Sequence, residues 1–403
     1  MLIKLPMKIL SLLFLLFVTT SDWPQFRGPT GQGVSDEQGL PLTWSETSNI
    51  VWKVAIPGKG WSSPVVQGDR IWLTTATEEG KSLRAIAVDR NNGTIVQNVE
   101  VFSLKSAKLT NPKNSFASPT PIIEGDRVYV HFGAFGTACI TQSGEIVWKT
   151  KLEYDNGQHG TGGSPTLYDD LLIISCDGND VQFVVALDKH TGKVKWKKSR
   201  QGYQAYTTPL VVKLPGGDQV ISPGAFRAIS YDPRNGKELW HVTYGEGFSN
   251  VPRPVYGDGL VFICTGFQQA SLLAVRLDGK GDVTRSKVQW KLDRGVPLTP
   301  SPLLVGNELY LVTDNGIVTC VDAKTGKEYW RERIGGNHSA SPIYADGRIY
   351  FLSEDGESVV LAAGQQLKHL ATNQLNGRTL ASMAVSTGSI FIRSDTHLYR
   401  LGK

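Results

Sequence analysis

Apolar residues fall along this chain in short bursts rather than in helical stripes. Arg70-Ile71-Trp72-Leu73, Arg127-Val128-Tyr129-Val130, Leu171-Leu172-Ile173-Ile174, Gln219-Val220-Ile221, Leu260-Val261-Phe262-Ile263, Glu308-Leu309-Tyr310-Leu311, Arg348-Ile349-Tyr350-Phe351 and Ser389-Ile390-Phe391-Ile392 are mostly branched or aromatic throughout. Runs of that length and composition predict strands covered on both faces. A small or polar residue, usually with a proline, and two or three apolar residues come before each run. The markers are Pro64, Pro121, Pro165, Pro209, Pro254, Pro302, Pro342 and, in a degenerate copy, Met383. They recur at forty-odd residues after a longer first interval, a period that predicts propeller blades.

A second pattern fixes the outer half of each blade. Asp188, Gly192 and Trp196 are spaced four apart, as are Asp232, Gly236 and Trp240, and Asp322, Gly326 and Trp330. The Asp carboxylate can cap backbone N–H groups in a tight turn, and Gly can take the positive φ the turn needs. The Trp has a flat apolar face for a neighbouring unit, and a repeat this small can bury such a face only by stacking. A basic residue or His follows the Trp at Trp148-Lys149, Trp196-Lys197, Trp240-His241, Trp290-Lys291 and Trp330-Arg331, which marks the outer strands. Trp52-Lys53 carries the same signature ahead of the first blade, while Thr379 to Leu401 supplies only three strands. Ile50 to Ile56 is therefore expected to complete the last blade and close the ring without a free edge. The expectation is an all-β, eight-bladed propeller over residues 50–403. Three blades depart from the repeat. The first has a long tail from Val99 to Ser115, the fifth has Asp278-Gly279-Lys280-Gly281-Asp282, and the seventh has Ala362-Ala363-Gly364.

The first 21 residues read as a secretory signal. Lys4 and Lys8 form a positive start, Ile9 to Val18 is apolar but too short to span a bilayer, and Thr19 and Ser21 place cleavage after Ser21. The competing reading is an uncleaved anchor. No Cys follows the apolar run to take a lipid, and no second run is long enough to span, so the mature chain is expected to lack a transmembrane segment. Residues 22–49 are rich in Gly and Pro, but Trp23, Phe26 and Trp44 demand burial, which predicts an ordered arm on the propeller body.

Composition adds little chemistry. The formal net charge is +5, of which Lys4 and Lys8 in the leader contribute two, and no basic block points to nucleic acid. Cys139, Cys176, Cys264 and Cys320 are widely separated in strand-like segments. Export would permit disulfides, but buried free thiols are the simpler reading.

The residues that carry a family are the docking turns. Ala186 to Trp196 resembles the tryptophan-docking motif AxDxxTGxxxW of the pyrroloquinoline-quinone (PQQ) repeat, Cys320 to Trp330 differs only at its first position, and Ser230 to Trp240 is a looser copy. Residues 50–403 thus resemble a PQQ-like, quinoprotein alcohol dehydrogenase-like propeller. Asp22 to Pro29 also looks like the opening of exported PQQ-like propellers of planctomycete-type bacteria. The resemblance implies one of two branches: quinoprotein dehydrogenases, which use PQQ, calcium and an Asp base, or non-enzymatic propellers such as BamB, an outer-membrane protein assembly factor.

In a propeller the inter-blade links and the loops between second and third strands share one face, the default place for a site. The links offer Trp61, Phe116, His159, Tyr203, Tyr206, Phe248, Asn250, Arg253, Asn337, His338 and Arg378. The loops offer Phe135, Phe226, Arg227, Phe267, Gln268 and Gln269. Aromatics with a few Arg and His can stack on a planar ligand or grip a peptide, or else simply pack the funnel against the arm. His159 and His338 stand out among seven scattered His. Asp177-Gly178-Asn179-Asp180, Asp314-Asn315-Gly316 and Glu354-Asp355-Gly356 read as turns rather than metal sites, and Gly160-Thr161-Gly162-Gly163-Ser164 leads into a strand, not a phosphate-binding helix. Lacking an evident catalytic set, a metal set or adjacent cysteines, the chain is expected to be a non-catalytic binding or scaffold module of the periplasm or cell exterior. It would hold an envelope protein or small ligand at the central funnel, with no cofactor. The alternatives are a PQQ- and calcium-dependent alcohol or sugar dehydrogenase with a divergent site, and a BamB-like assembly factor.

Overall fold

The computed structural model describes residues 22–106, 110–157 and 159–402; the leader read at residues 1–21 lies outside them. Eight antiparallel sheets form the blades. Their innermost strands are Val65–Gln67, Ile122–Glu124, Thr166–Tyr168, Leu210–Val212, Val255–Gly257, Leu303–Val305, Ile343–Ala345 and Ala384–Ser386. Each apolar run noted above is the second strand and is almost wholly buried, because neighbouring blades cover both of its faces. The core lies in the seams between blades. Between the second and third, for example, Ile122, Tyr129 and Cys139 pack against Leu172, Ile174 and Val185. All four cysteines are free thiols buried in these seams. Among the described residues, no helix is long and apolar enough to cross a membrane.

Ile50–Ala55 pairs antiparallel with His397–Leu401, so the ring is closed by a strand that precedes the first blade. The docking turns work as their chemistry requires. Asp188 Oδ1 accepts the His190 and Thr191 backbone N–H groups at 3.0 and 2.9 Å. Gly192, at φ +71°, lies under the ring of Trp148 from the preceding blade, whose indole N–H donates to Lys189 O at 2.9 Å. Trp52 on Gly93, Trp196 on Gly236 and Trp290 on Gly326 repeat the contact. A methyl on Gly192 would meet the Trp148 ring at 2.5 Å. Gly192→Ala is therefore expected to cost at least the ~1–2 kcal/mol of a left-handed residue, read as a lowered midpoint in thermal denaturation. An unchanged midpoint would show that the turn is not held as described.

Trp240 departs from this scheme. The fifth blade has no docking turn, so the Trp240 indole donates to Gln219 Oε1 at 2.8 Å within its own blade. The loop from the fifth blade folds back instead, and Gly281–Asp282 adds a short parallel strand beside Trp240 and His241. That strand was not expected from the sequence.

The arm lies inside the ring. Trp23 exchanges two backbone hydrogen bonds with Val66 of the first blade, both 2.8 Å, and Pro24 O accepts from Ile123 N of the second. The chain then crosses the channel, where Gly33 O accepts from Tyr344 N and Ser35 N donates to Tyr344 O of the seventh blade. The Glu37 carboxylate accepts Thr387 and Gly388 N–H at 2.8 and 2.7 Å at the turn of the eighth. Beyond Leu40 it runs outward, with Trp44 stacked on Tyr350, to become the closing strand. Asp22, Glu37 and Gly39 all bond at turns joining first and second strands, so the arm seals the end of the channel opposite the predicted face.

Candidate functional site

At the open end the channel widens into a chamber of about 590 Å³, with Phe26 of the arm in its floor. Trp61, His159, Tyr206 and Phe248, all singled out in the sequence, line it. His159 meets Tyr206 edge-on at 6.1 Å, and its Nδ1 lies 3.3 Å from Asn111 Nδ2. Tyr203 stands on the rim, 52% exposed, edge-on to Phe248 at 5.6 Å. Phe267, 53% exposed, makes the same contact on the other side of Phe248. The rim aromatics sit on unusual backbone: Phe226, Ser249 and Gln268 have φ of 70°, 52° and 71°.

Other predicted residues lie elsewhere. Phe116 packs on Phe135 in a separate hollow beside Glu78 and Glu79. His338 is buried, with Nδ1 3.1 Å from Leu352 O and Nε2 3.0 Å from Gly335 O, and braces two stretches of backbone. Asn250 is also buried and donates to Tyr244 Oη and Cys264 O, both at 3.2 Å. Arg378 is exposed outside the chamber, 3.9 Å from Glu354. Arg253 is 2% exposed and reaches the arm, donating from Nη1 to Phe26 O at 2.8 Å.

A ring of hydroxyls beneath the aromatics escaped the sequence reading. Ser63, Thr120, Ser164, Thr208, Ser301, Ser341 and Ser382 each stand immediately before an inner-strand marker, and all seven line the chamber. Each hydroxyl accepts a backbone N–H from the preceding blade. Ser63 N donates to Thr120, Thr120 N to Ser164 and Ser164 N to Thr208, at 2.9 to 3.0 Å. Arg253 N donates to Ser301, Ser301 N to Ser341, Ser341 N to Ser382 and Ser382 N to Ser63, at 2.9 to 3.1 Å. Arg253 takes the eighth place, the only one without a hydroxyl. The available signal was the Ser or Thr before six of the seven marker prolines and before Met383.

Charge at this level is lopsided. Arg253, Arg27 and Arg393 are buried, and among the described residues none forms a salt bridge. Arg27 donates to Pro302 O at 2.8 Å and Gln32 O at 2.7 Å, and Arg393 to Ser62 Oγ at 2.7 Å and Thr74 O at 2.8 Å. Burial pushes Arg253 and Arg393 down to about 9, and burial with the Arg253 charge does the same to Arg27. All three stay cationic at neutral pH. Of the lining charges, Lys113 is paired with Glu354 at 2.9 Å, and Asp314 Oδ2 accepts Leu298 N at 2.7 Å.

These donors do not fit the calcium ion of quinoprotein chemistry, which takes six to eight oxygens, carboxylates foremost. Asp314 is the one lining carboxylate, and Asn111 and Asn114 Oδ1 already accept Lys113 N and Ser115 N. Among the described residues, no three His, Cys, Asp or Glu are grouped to hold a metal.

Buried titratable groups flank the chamber. Arg200 donates to both Asp177 carboxylate oxygens, its Nε at 2.8 Å, and from Nη1 to Ser222 O at 2.9 Å across the seam to the fourth blade. Burial alone would lower Arg200, but the Asp177 carboxylate holds it above the ordinary arginine range. Asp177 is thus an interior ion-pair partner as well as the start of a turn. Nearby, burial pushes His131 down from 6.5 to about 3. The unfolded chain therefore binds more protons in that window. The stability is fully present above pH 6.5 and lost as pH falls toward about 3. His131→Gln is expected to remove on the order of 3 kcal/mol of the stability lost between about pH 7 and pH 4, read by urea unfolding at both values. Parallel losses in the two proteins would refute it.

The sequence matches the family model described as outer membrane protein assembly factor BamB over residues 86–289 and 276–401. It is 25% identical over 316 residues to that factor from Burkholderia pseudomallei (strain K96243), spanning 74% of this chain and 75% of the relative. Over 188 residues it is 27% identical to the one from Alteromonas naphthalenivorans, 44% of this chain and 43% of the relative. Among solved structures, BamB from Moraxella catarrhalis superposes with a TM-score of 0.63 at 12% identity, over 88% of this chain and 99% of that one. A europium-containing methanol dehydrogenase gives 0.69, also at 12% identity, over 93% and 90%. At such identity the two solved structures share the fold alone.

Proposed function

The chain belongs to the family of outer membrane protein assembly factor BamB, and from that premise we propose that it is a non-catalytic binding platform of the cell envelope. It engages an envelope protein through the open face of the ring. The observation that carries this reading is the aromatic rim: Tyr203, Phe248 and Phe267 interlock edge-to-face around the chamber mouth while two of them remain half exposed. Exposed aromatics of this kind are the usual anchors of protein interfaces. The left-handed backbone at Phe226, Ser249 and Gln268 is held at a cost, as backbone at functional sites often is. The relatives' name, for assembly of outer membrane proteins, supports a partner in the same compartment. The candidate leader supports export, which the mass of the mature N-terminus would check.

The test is in-cell crosslinking from the rim followed by capture from the envelope fraction. Tyr203→Ser with Phe267→Ser is expected to abolish capture of a defined partner without lowering the melting temperature. Undiminished capture would refute the choice of face. Dye-coupled alcohol or sugar oxidation by the purified protein with added PQQ and calcium would refute the non-catalytic reading.

A further inference from the structure

The hydroxyl ring does more than link blades. A hydroxyl has one proton to donate and two lone pairs to accept with. In all seven the backbone bond uses a lone pair. Among the described residues, none of the seven gives its own proton to a protein acceptor. Seven O–H donors of largely buried residues therefore surround one chamber with no protein acceptor for their protons. Donors that face an open chamber give their protons to water or to whatever polar group fills it.

Positive charge gathers at the same level. Arg253 is itself the eighth member of the ring. Arg27 donates to Ser301 O, the backbone of another member, at 3.4 Å. Arg393 donates to Ser62 O, next to Ser63, at 3.2 Å. Three buried guanidiniums without a carboxylate are costly, and a low dielectric lengthens the reach of their field. Against them stands Asp314 at the chamber wall. Among the described residues, Lys113, paired with Glu354, is the other lining charge.

We propose that the chamber floor is an oxyanion site, which takes the carboxylate or phosphate group of a small organic ligand. The ring hydroxyls donate to its oxygens, the guanidiniums balance its charge, and Trp61, Tyr206 and Phe248 cover its apolar body. The site gives a ligand class to the open face and rests on the binding-platform reading only in its choice of that face. No bond is made or broken.

Calorimetric titration of the full propeller with inorganic phosphate and with citrate tests it, with glucose as the uncharged control. Saturable binding of at least one anion and none of glucose is expected, and whichever anion binds tighter identifies the source. Thr208→Val and Ser301→Ala should each weaken it at least tenfold. Asp314→Asn keeps an acceptor for Leu298 N and removes the opposing charge, so it should tighten binding severalfold. A merely structural role for the ring would not produce that gain. No saturable heat with either anion, or affinity unmoved by all three substitutions, overturns the proposal. Because no partner is involved, its failure leaves the crosslinking result standing, and the reverse also holds.

Discussion

Arg200→Met is expected to destabilise the protein by about 3–5 kcal/mol, measured as a loss of free energy in urea unfolding. The ion pair is almost wholly dehydrated: the Arg200 and Asp177 side chains are 3% and 1% exposed. Removing the guanidinium leaves a carboxylate with no partner in a medium that cannot solvate it. It also takes the donor from Ser222 O, so the seam between third and fourth blades loses its polar clasp. Asp177→Leu with Arg200→Met should recover most of the loss, because an apolar pair of similar volume avoids the dehydration altogether. The cycle of single and double variants isolates the coupling. A single-variant loss below about 1 kcal/mol, the worth of an exposed pair, would mean that water reaches Asp177. The clasp precedes the link that presents Tyr203, Gln204 and Tyr206, so the variant should also blunt partner capture.

Trp23→Ala is expected to cost about 3–5 kcal/mol and to free the arm. Trp23 is 1% exposed, belongs to the core cluster that includes Val66 and Ile71, and is roofed by Gly28, where a Cβ would lie 2.7 Å from the ring. With the indole gone, the two backbone bonds to Val66 face water and the segment carrying Phe26 loses its first anchor. Limited proteolysis should then cut between residues 22 and 44, and amide exchange should accelerate at Val66, Ile123 and Tyr344. Resistance to protease at unchanged stability would show that Arg27 and Arg253 suffice to hold the arm. Loss of the arm should also lower affinity for any chamber ligand, since Phe26 is part of the floor.

The sequence made the ring legible because its signals are local and repeated. Seven proline-marked inner strands, the degenerate copy at Met383 and the unpaired Trp52-Lys53 determine both the number of blades and the closing strand. The Asp89 to Gly93 turn was overlooked because no Trp follows it in its own blade, although Trp52 of the eighth blade docks there. The chamber was half legible. Loop aromatics announce themselves, and Trp61, His159, Tyr206 and Phe248 do converge. Arg253 and His338 look like surface groups when read alone, since burial depends on what lies opposite: the arm for Arg253 and two carbonyls for His338. The hydroxyl ring is a property of neighbouring blades, each Ser or Thr answering a backbone N–H of the preceding blade, far away along the chain. The parallel strand at Gly281–Asp282 was invisible for a related reason, because it forms where Trp240 lacks a turn to rest on.

The closing strand also sets an order of events. Ile50–Ala55 is made before any blade, but its hydrogen-bonding partner, His397–Leu401, emerges only after the seven blades between them. Until then the ring is an open crescent with an unsatisfied edge at each end, the state most exposed to sticking to other chains. Such distant pairing is slow to form. Loss of either of these two strands therefore leaves a crescent rather than a smaller ring, and their meeting becomes the condition for keeping the chain from aggregation.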